Sequence, residues 1–152
     1  MRTIKFRGKD VTTGKWVYGY YVHLKKNKNH ECHCIMTEHQ YDNPTFTPEE
    51  GFNIDEEMFI TINPINPETV GQFTNLRDKN GKEIYEGDIL ALEGESMKLE
   101  VRFVRGVFAF LWDGDLDEEF PCNAPTQEWA EVIGNIHDNP LTNHLHKSCN
   151  QK

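Results

Sequence analysis

The sequence lacks several features that would place it in a well-defined class of protein. No apolar run approaches the roughly 20 residues that a membrane-spanning helix needs. Only 16 residues are Lys or Arg against 25 acidic ones, and the net charge of −9 argues against binding nucleic acid through phosphate contacts. No phosphate-binding loop, dinucleotide fingerprint or nucleophile elbow is present. The motifs therefore name no reaction, and we expect no cofactor.

Cysteine is also scarce, with four residues in the chain. Residues 1–7 mix polar and charged side chains without an apolar core, so we expect neither a secretory signal nor a membrane anchor. These observations favour a cytoplasmic location. In that compartment the cysteines are expected to be reduced thiols and not a disulfide framework.

The residues that are present favour strands. Nine Phe, five Tyr and three Trp supply bulky side chains for a core. Alternation over residues 3–8 and the aromatic stretch 16–24 predict two strands, joined as a hairpin by the Thr13-Gly14 turn. Pro64 and Pro67 predict the end of a strand that begins near residue 58. Further strands are predicted at 31–37, 97–104, 106–112 and 128–136.

The stretch from Gln72 to Leu90 carries the clearest local signals. Asn80-Gly81 predicts a tight primed hairpin turn, because both residue types tolerate positive φ. Glu86-Gly87-Asp88, followed by an apolar run, predicts a sharp turn that enters a strand. Small SH3-like barrels often open a strand in this way, which is an analogy of fold and not of function.

The same stretch resembles the signature of the YopX family of phage and prophage proteins. Residues 4–9, 14–19, 67–74 and 132–140 agree with that family in the same order, whereas residues 31–63 match least and are the expected place for a member's specificity. The resemblance implies a mostly β, phage-encoded protein and carries over no catalytic residues. It implies structural roles for Trp16, Gly19, Asn80, Gly81, Tyr85, Gly87, Asp88, Gly134 and Asn135.

We therefore predict an all-β, YopX-like protein with little helix, built from two small, closely packed units. Residues 1–70 form the first unit, a hairpin plus the variable insert at about 31–63. Residues 71–141 form the second unit, which we expect to be SH3-like or barrel-like. Residues 142–152 are polar and are expected to form a flexible tail.

A cluster of thiols and imidazoles gives the best candidate for a metal site. Cys32 and Cys34 alternate on a strand and so share one face, with His33 on the other. Together with His30 and His39 they could bind zinc, in a metal-dependent enzyme or a metal-stabilised protein. Their C-x-C spacing differs from the usual C-x2-C pair, so ordinary strand residues remain the alternative.

Acidic residues cluster in a predicted loop at Asp113, Asp115, Asp117 and Glu118. A calcium loop needs Gly at its sixth position, and here Gly follows the first acid directly. The loop could contact a basic partner, or it could be a solvated turn. Our leading hypothesis is a non-enzymatic accessory protein that binds a host or phage protein. Homo-oligomerisation is also plausible, since short β-barrels have edges to protect.

Two further hypotheses stay open at this point. Lys25, Lys26 and Lys28 form a basic tip that could contact phosphate despite the overall charge. Glu86 and Asp88 could act as an acid–base pair, although acids at a turn more simply accept hydrogen bonds from local amides.

Overall fold

A computed structural model describes residues 3–27, 30–39, 59–94, 98–112, 119–121 and 129–138. The regular structure of these residues is almost entirely β, which confirms the predicted fold class. The strands form two five-stranded sheets, of order β1-β2-β3-β4-β5 and β10-β6-β7-β8-β9. Their bounds are β1 Phe6–Asp10, β2 Trp16–Asn27, β3 His30–His39, β4 Phe59–Arg77, β5 Glu83–Tyr85, β6 Asp88–Leu92, β7 Lys98–Val104, β8 Val107–Trp112, β9 Glu119–Pro121 and β10 Ala130–Asn135.

The chain divides into two compact units. Lys5–Val70 makes up the N-terminal unit, and Gly71–Lys152 together with Met1–Ile4 makes up the C-terminal unit. Across the described ranges, no helix combines the length and the apolar character needed to cross a membrane.

The N-terminal unit begins with the hairpin of β1 and β2, as the sequence predicts. Lys9 lies opposite Trp16, and Asp10 holds the connecting turn. The Oδ1 atom of Asp10 accepts hydrogen bonds from the backbone N–H groups of Thr12 at 3.0 Å and Thr13 at 2.7 Å. Such a carboxylate cap satisfies turn amides that the strand ladder leaves without a partner.

The remaining strands of this unit pair in chain order, β2 with β3 and β3 with β4, and β4 also pairs with β1. The pairing of β4 with β1 therefore connects the fourth strand of the sheet back to the first. Cys34, Ile35 and Ile65 are buried in this unit. Gly8 lies against Ile65, where an added Cβ would come within 2.7 Å of the Ile65 Cδ1 atom.

The prediction that Pro64 and Pro67 end a strand is wrong, because β4 continues through both of them. A strand tolerates proline where the ladder does not need its missing N–H. Here the Pro64 carbonyl accepts the Val11 N–H at 3.0 Å. The side-chain amide of Asn63 donates to the Ile35 carbonyl at 3.2 Å, so a side chain supplies a cross-strand bond beside the proline.

In the C-terminal unit, β6 to β9 form a meander and β10 returns to pair with β6. The order is that of an SH3-like fold, in which the last strand lies beside the first strand of the meander. Val132, Leu90 and Leu99 lie opposite one another on three neighbouring strands. Their side chains belong to one buried cluster with Ile84, Val101, Phe110 and Ala130.

The predicted primed turn at Asn80-Gly81 is also wrong. A hairpin does join β4 to β5, and Gly81 has a φ of 81°, but Asn80 keeps a negative φ. The Gly81 N–H donates to the Asp78 carbonyl at 2.9 Å, which closes an ordinary turn followed by a left-handed Gly. A primed turn lies instead between β7 and β8, where Arg105 and Gly106 have φ of 51° and 89°.

Candidate functional site

Strands β2 and β3 form a long antiparallel hairpin that carries the best candidate site. Their register places His23 opposite His33 and Lys25 opposite Glu31. Because side chains alternate along a strand, these four residues and Tyr21 share one face of the hairpin. We call these five residues, Tyr21, His23, Lys25, Glu31 and His33, the polar cluster.

The members of the polar cluster contact one another closely. The imidazole rings of His23 and His33 stack with centroids 4.3 Å apart and planes 9° from parallel. The Tyr21 hydroxyl lies 2.6 Å from Nδ1 of His33, and the Tyr21 ring also stacks on His33. Nε2 of His23 lies 3.4 Å from Oε2 of Glu31. The cluster is therefore a connected set of side chains from two strands.

Charge in the cluster is balanced between Lys25 and Glu31. The Lys25 ammonium lies 3.5 Å from Oε2 of Glu31. The charge of Lys25, its hydrogen bond and that of His23 hold the pKa of Glu31 below its usual range. Glu31 is thus ionised at neutral pH, and Lys25 is partly neutralised by it. The basic tip predicted to contact phosphate therefore has one of its three lysines engaged within the protein, while the side chains of Lys26 and Lys28 lie outside the described set.

On the opposite face of the same strands, the side chains that the structure describes are uncharged and mostly apolar. Tyr20, Met36 and Ile62 lie in register across β2, β3 and β4. Tyr20 is 51% exposed and Ile62 is 55% exposed. Leu24, opposite Cys32, is also half-exposed. We call Tyr20, Leu24, Met36 and Ile62 the apolar face.

The predicted zinc ligands come together only in part. The Sγ atoms of Cys32 and Cys34 lie 2.9 Å apart, on the face opposite His33, as strand alternation predicts. Burial, with the neighbouring Cys32 thiol, raises the pKa of Cys34 to about 11. Cys34 is therefore a protonated thiol at neutral pH. His30 and His39 lie at the two ends of β3, and their side chains fall outside the described set.

Several family-motif residues have local structural contacts. Arg7 lies over the Trp16 ring at 4.6 Å. Gly19 sits against β3, where an added Cβ would overlap the Met36 carbonyl oxygen. The Tyr85 ring lies 5.4 Å from that of Phe73.

The turn residues of the motif make hydrogen bonds with the backbone. The Gly87 N–H donates to the Val101 carbonyl at 2.8 Å, and Gly87 has a φ of 81°. Oδ2 of Asp88, which is buried, accepts the Tyr85 N–H at 2.8 Å. Asp88 thus accepts a hydrogen bond from a nearby backbone N–H, which is the alternative to acid–base chemistry given in the sequence analysis.

The last motif residues end β10. The ladder with β6 shifts register between Val132 and Gly134. Oδ1 of Asn135 then accepts the N–H groups of His137 and Asp138 at 2.9 and 3.0 Å. The acidic residues Asp113, Asp115, Asp117 and Glu118 lie outside the described residues, so their role stays a prediction.

Comparison with known proteins gives a family. A model of the YopX family, described as YopX protein, matches residues 5–142. This chain belongs to the YopX family. A similar solved structure is the crystal structure of protein EF1440 from Enterococcus faecalis, at 23% identity and a TM-score of 0.49, covering 92% of this chain and 97% of that chain. No curated protein matches the sequence. The resemblance seen in the sequence is confirmed.

Sequence reasoning missed His23, Glu31 and His33 as a group in this YopX-family chain. The sequence does contain a signal for this pairing. His23 and His33 lie the same number of positions before and after residue 28, and so do Lys25 and Glu31. A hairpin centred on the basic tip pairs them directly. The prediction paired β2 only with β1 and treated β3 by itself, so His33 had no partner.

Proposed function

We propose that this YopX-family protein is a non-enzymatic accessory protein of a phage or prophage, and that it binds a protein partner through the apolar face. The observation that carries the proposal is the in-register row of Tyr20, Met36 and Ile62, whose outer members are more than half exposed. Contiguous exposed apolar side chains on a soluble protein mark interaction surfaces more often than scattered ones do.

The chemistry of the apolar face favours a protein over a nucleic acid. Tyr and Met are enriched at the centres of protein interfaces, where charged residues are depleted. The next row inwards, Val22, Cys34 and Pro64, adds no charge to this face. The net charge of −9 also opposes a phosphate backbone. The partner is accordingly a protein that presents an apolar patch of its own.

An affinity capture with matched variants tests the proposal. The full chain is used as bait in nuclease-treated bacterial lysate, with or without phage infection, and bound proteins are identified by mass spectrometry. The test variant carries Tyr20→Ser and Ile62→Lys, which place polarity and charge on two exposed positions. The control carries Val107→Lys, at a 55% exposed apolar position of the other unit. A stoichiometric protein that the control retains and the test variant loses, and that binds the purified chain directly, supports the proposal.

Other outcomes would overturn it. Equal capture by both variants would remove the apolar face from the contact. Loss of capture only when Asp113, Asp115 and Asp117 are changed to Asn would assign the contact to the predicted acidic loop. A chain that dimerises in light scattering, and becomes monomeric with Ile62→Lys, would assign the apolar face to self-association.

A further inference from the structure

The polar cluster presents a donor set that no part of the proposed function uses. His23, Glu31 and His33 each offer a nitrogen or oxygen atom, and these atoms all lie within 4.8 Å of one another. Two imidazoles and one carboxylate form the protein ligand set of one class of zinc site, which leaves a fourth position open. We propose that His23, Glu31 and His33 bind a divalent transition-metal ion, zinc by preference, and that the ion joins β2 to β3 on the face opposite Cys32 and Cys34.

The spacing of the donors suits such an ion. With bonds of about 2.0–2.1 Å, two ligands of tetrahedral zinc lie about 3.3 Å apart. Nε2 of His23 and Oε2 of Glu31 are already 3.4 Å apart. The side chains of His23 and Glu31 are 39% and 49% exposed, which leaves them room to rotate. His23 has to leave its parallel stack on His33, because an imidazole binds an ion in the plane of its ring.

Tyr21 supplies the outer contact that metal-binding histidines usually have. Its hydroxyl lies 2.6 Å from Nδ1 of His33. When Nδ1–H donates to that hydroxyl oxygen, the lone pair of Nε2 is available for the ion. Outer hydrogen bonds of this kind fix the tautomer and the ring direction of a ligand. In that tautomer Nε2 is the ligand atom of His33, and Tyr21 is its positioning residue.

Lys25 opposes the ion and provides a diagnostic variant. Its ammonium lies 3.5 Å from the same Glu31 oxygen that approaches His23. A bound cation would have to displace this ion pair and would lie near a like charge. Lys25→Met therefore removes a competitor without removing a ligand, and it should tighten metal binding. If Glu31 only pairs with Lys25 and does not bind the ion, Lys25→Met should not tighten metal binding.

The occupant is tested by zinc titration of the full chain, purified without a histidine tag and followed by calorimetry. One zinc ion per chain is expected. His23→Gln, Glu31→Gln and His33→Gln should each raise the Kd by about tenfold or more, and Tyr21→Phe should raise it by about tenfold. Lys25→Met should lower it several-fold. The ring nitrogens of His23 and His33 should shift on zinc addition in nitrogen-15 NMR spectra. Circular dichroism verifies that each variant is folded.

The double variant Cys32→Ser, Cys34→Ser separates this site from a thiol site. Unchanged affinity in that variant supports the proposal, while loss of binding would assign the ion to the thiols. The proposal is overturned equally by the absence of zinc binding, or by a Kd that stays the same in all three ligand variants. Each result is independent of the protein capture described above, because the two experiments address opposite faces of β2 and β3.

Discussion

The Oδ2 atom of Asp78 accepts a hydrogen bond from the backbone N–H of Val132 at 3.0 Å, across 54 positions of sequence. Oδ1 of the same carboxylate accepts the N–H groups of Asn80 and Lys82 at 2.8 and 2.9 Å. Asp78 is 3% exposed. One buried side chain therefore shapes the turn after β4 and fastens it to β10.

Asp78→Asn should lower the free energy of unfolding by about 1–3 kcal/mol, the usual cost of a lost hydrogen bond to a buried charged group. The amide oxygen can still accept the turn N–H groups, but the amide nitrogen then faces the Val132 N–H as a second donor. Urea denaturation followed by tryptophan fluorescence measures the loss. Asp10→Asn, at an exposed turn of the other unit, is the control and should lose less. Equal losses would contradict a special role for Asp78.

Because of the Asp78 carboxylate, we expect the free energy of unfolding to fall in acid. Burial by itself would raise the pKa of Asp78, but the N–H groups of Val132, Lys82 and Asn80 outweigh it, and the pKa lies below its ordinary value of 3.8. A lowered folded pKa adds stability above the unfolded value, and that stability is lost as the pH falls through the folded pKa. The stability difference between wild type and Asp78→Asn should therefore be constant near neutral pH and shrink below about pH 4. A difference that stays constant down to pH 2 would contradict this assignment.

Much of the fold could be predicted because its signals are local. Alternation and aromatic content located the β1–β2 hairpin and the β7–β8 pair, whose side chains follow the two-residue period of strands. The errors come from side-chain contacts, one of them between strands and one of them within a turn. β4 passes Pro64 because Asn63 bonds to a residue of β3, and the Asn80-Gly81 turn takes its form from the Asp78 carboxylate. Neither contact can be deduced from the spacing of Gly and Pro.

The candidate site was harder to predict than the fold. Strand alternation correctly placed His33 on the face opposite Cys32 and Cys34. The side chains that surround His33 on that face could not be identified until the neighbouring strand and its register were known. His33 acquires Tyr21 and His23 only through the β2–β3 register. A one-residue slip in that register would move His23 to the other face and dissolve the cluster. The site therefore depends on pairing and not on a sequence motif.

Gly19 should be intolerant of any side chain. A Cβ at this position would overlap the Met36 carbonyl oxygen, and neither backbone can retreat while Tyr20 remains paired with Met36. We expect Gly19→Ala to cost about 3 kcal/mol, at the upper end for an overpacked site. Gly14→Ala is the control, because Gly14 has a φ of 67° with no atom within 4 Å of the added Cβ. It should cost about 1 kcal/mol for the left-handed backbone alone. Equal costs in denaturation would contradict the close approach.

Cys34 should react slowly with alkylating reagents while the protein is folded. Its side chain is 1% exposed, and its pKa is raised from 9.0 to about 11. Since the thiolate is the reactive form, a rise of two pKa units lowers its fraction at pH 7.5 about a hundredfold. Burial slows the reagent further. Iodoacetamide labelling, with peptide mass spectrometry at timed intervals, should show Cys34 modified at least about a hundredfold more slowly in the folded protein than in urea.

A Cys32→Ser variant distinguishes the two causes of this protection. Desolvation is the larger cause of the raised pKa, and the neighbouring Cys32 thiol is the smaller one. The variant should therefore keep most of the protection of Cys34, because the apolar surroundings that exclude water remain. Rapid labelling of Cys34 in Cys32→Ser, with the fold intact by circular dichroism, would mean that the second thiol controls the reactivity and that burial does not.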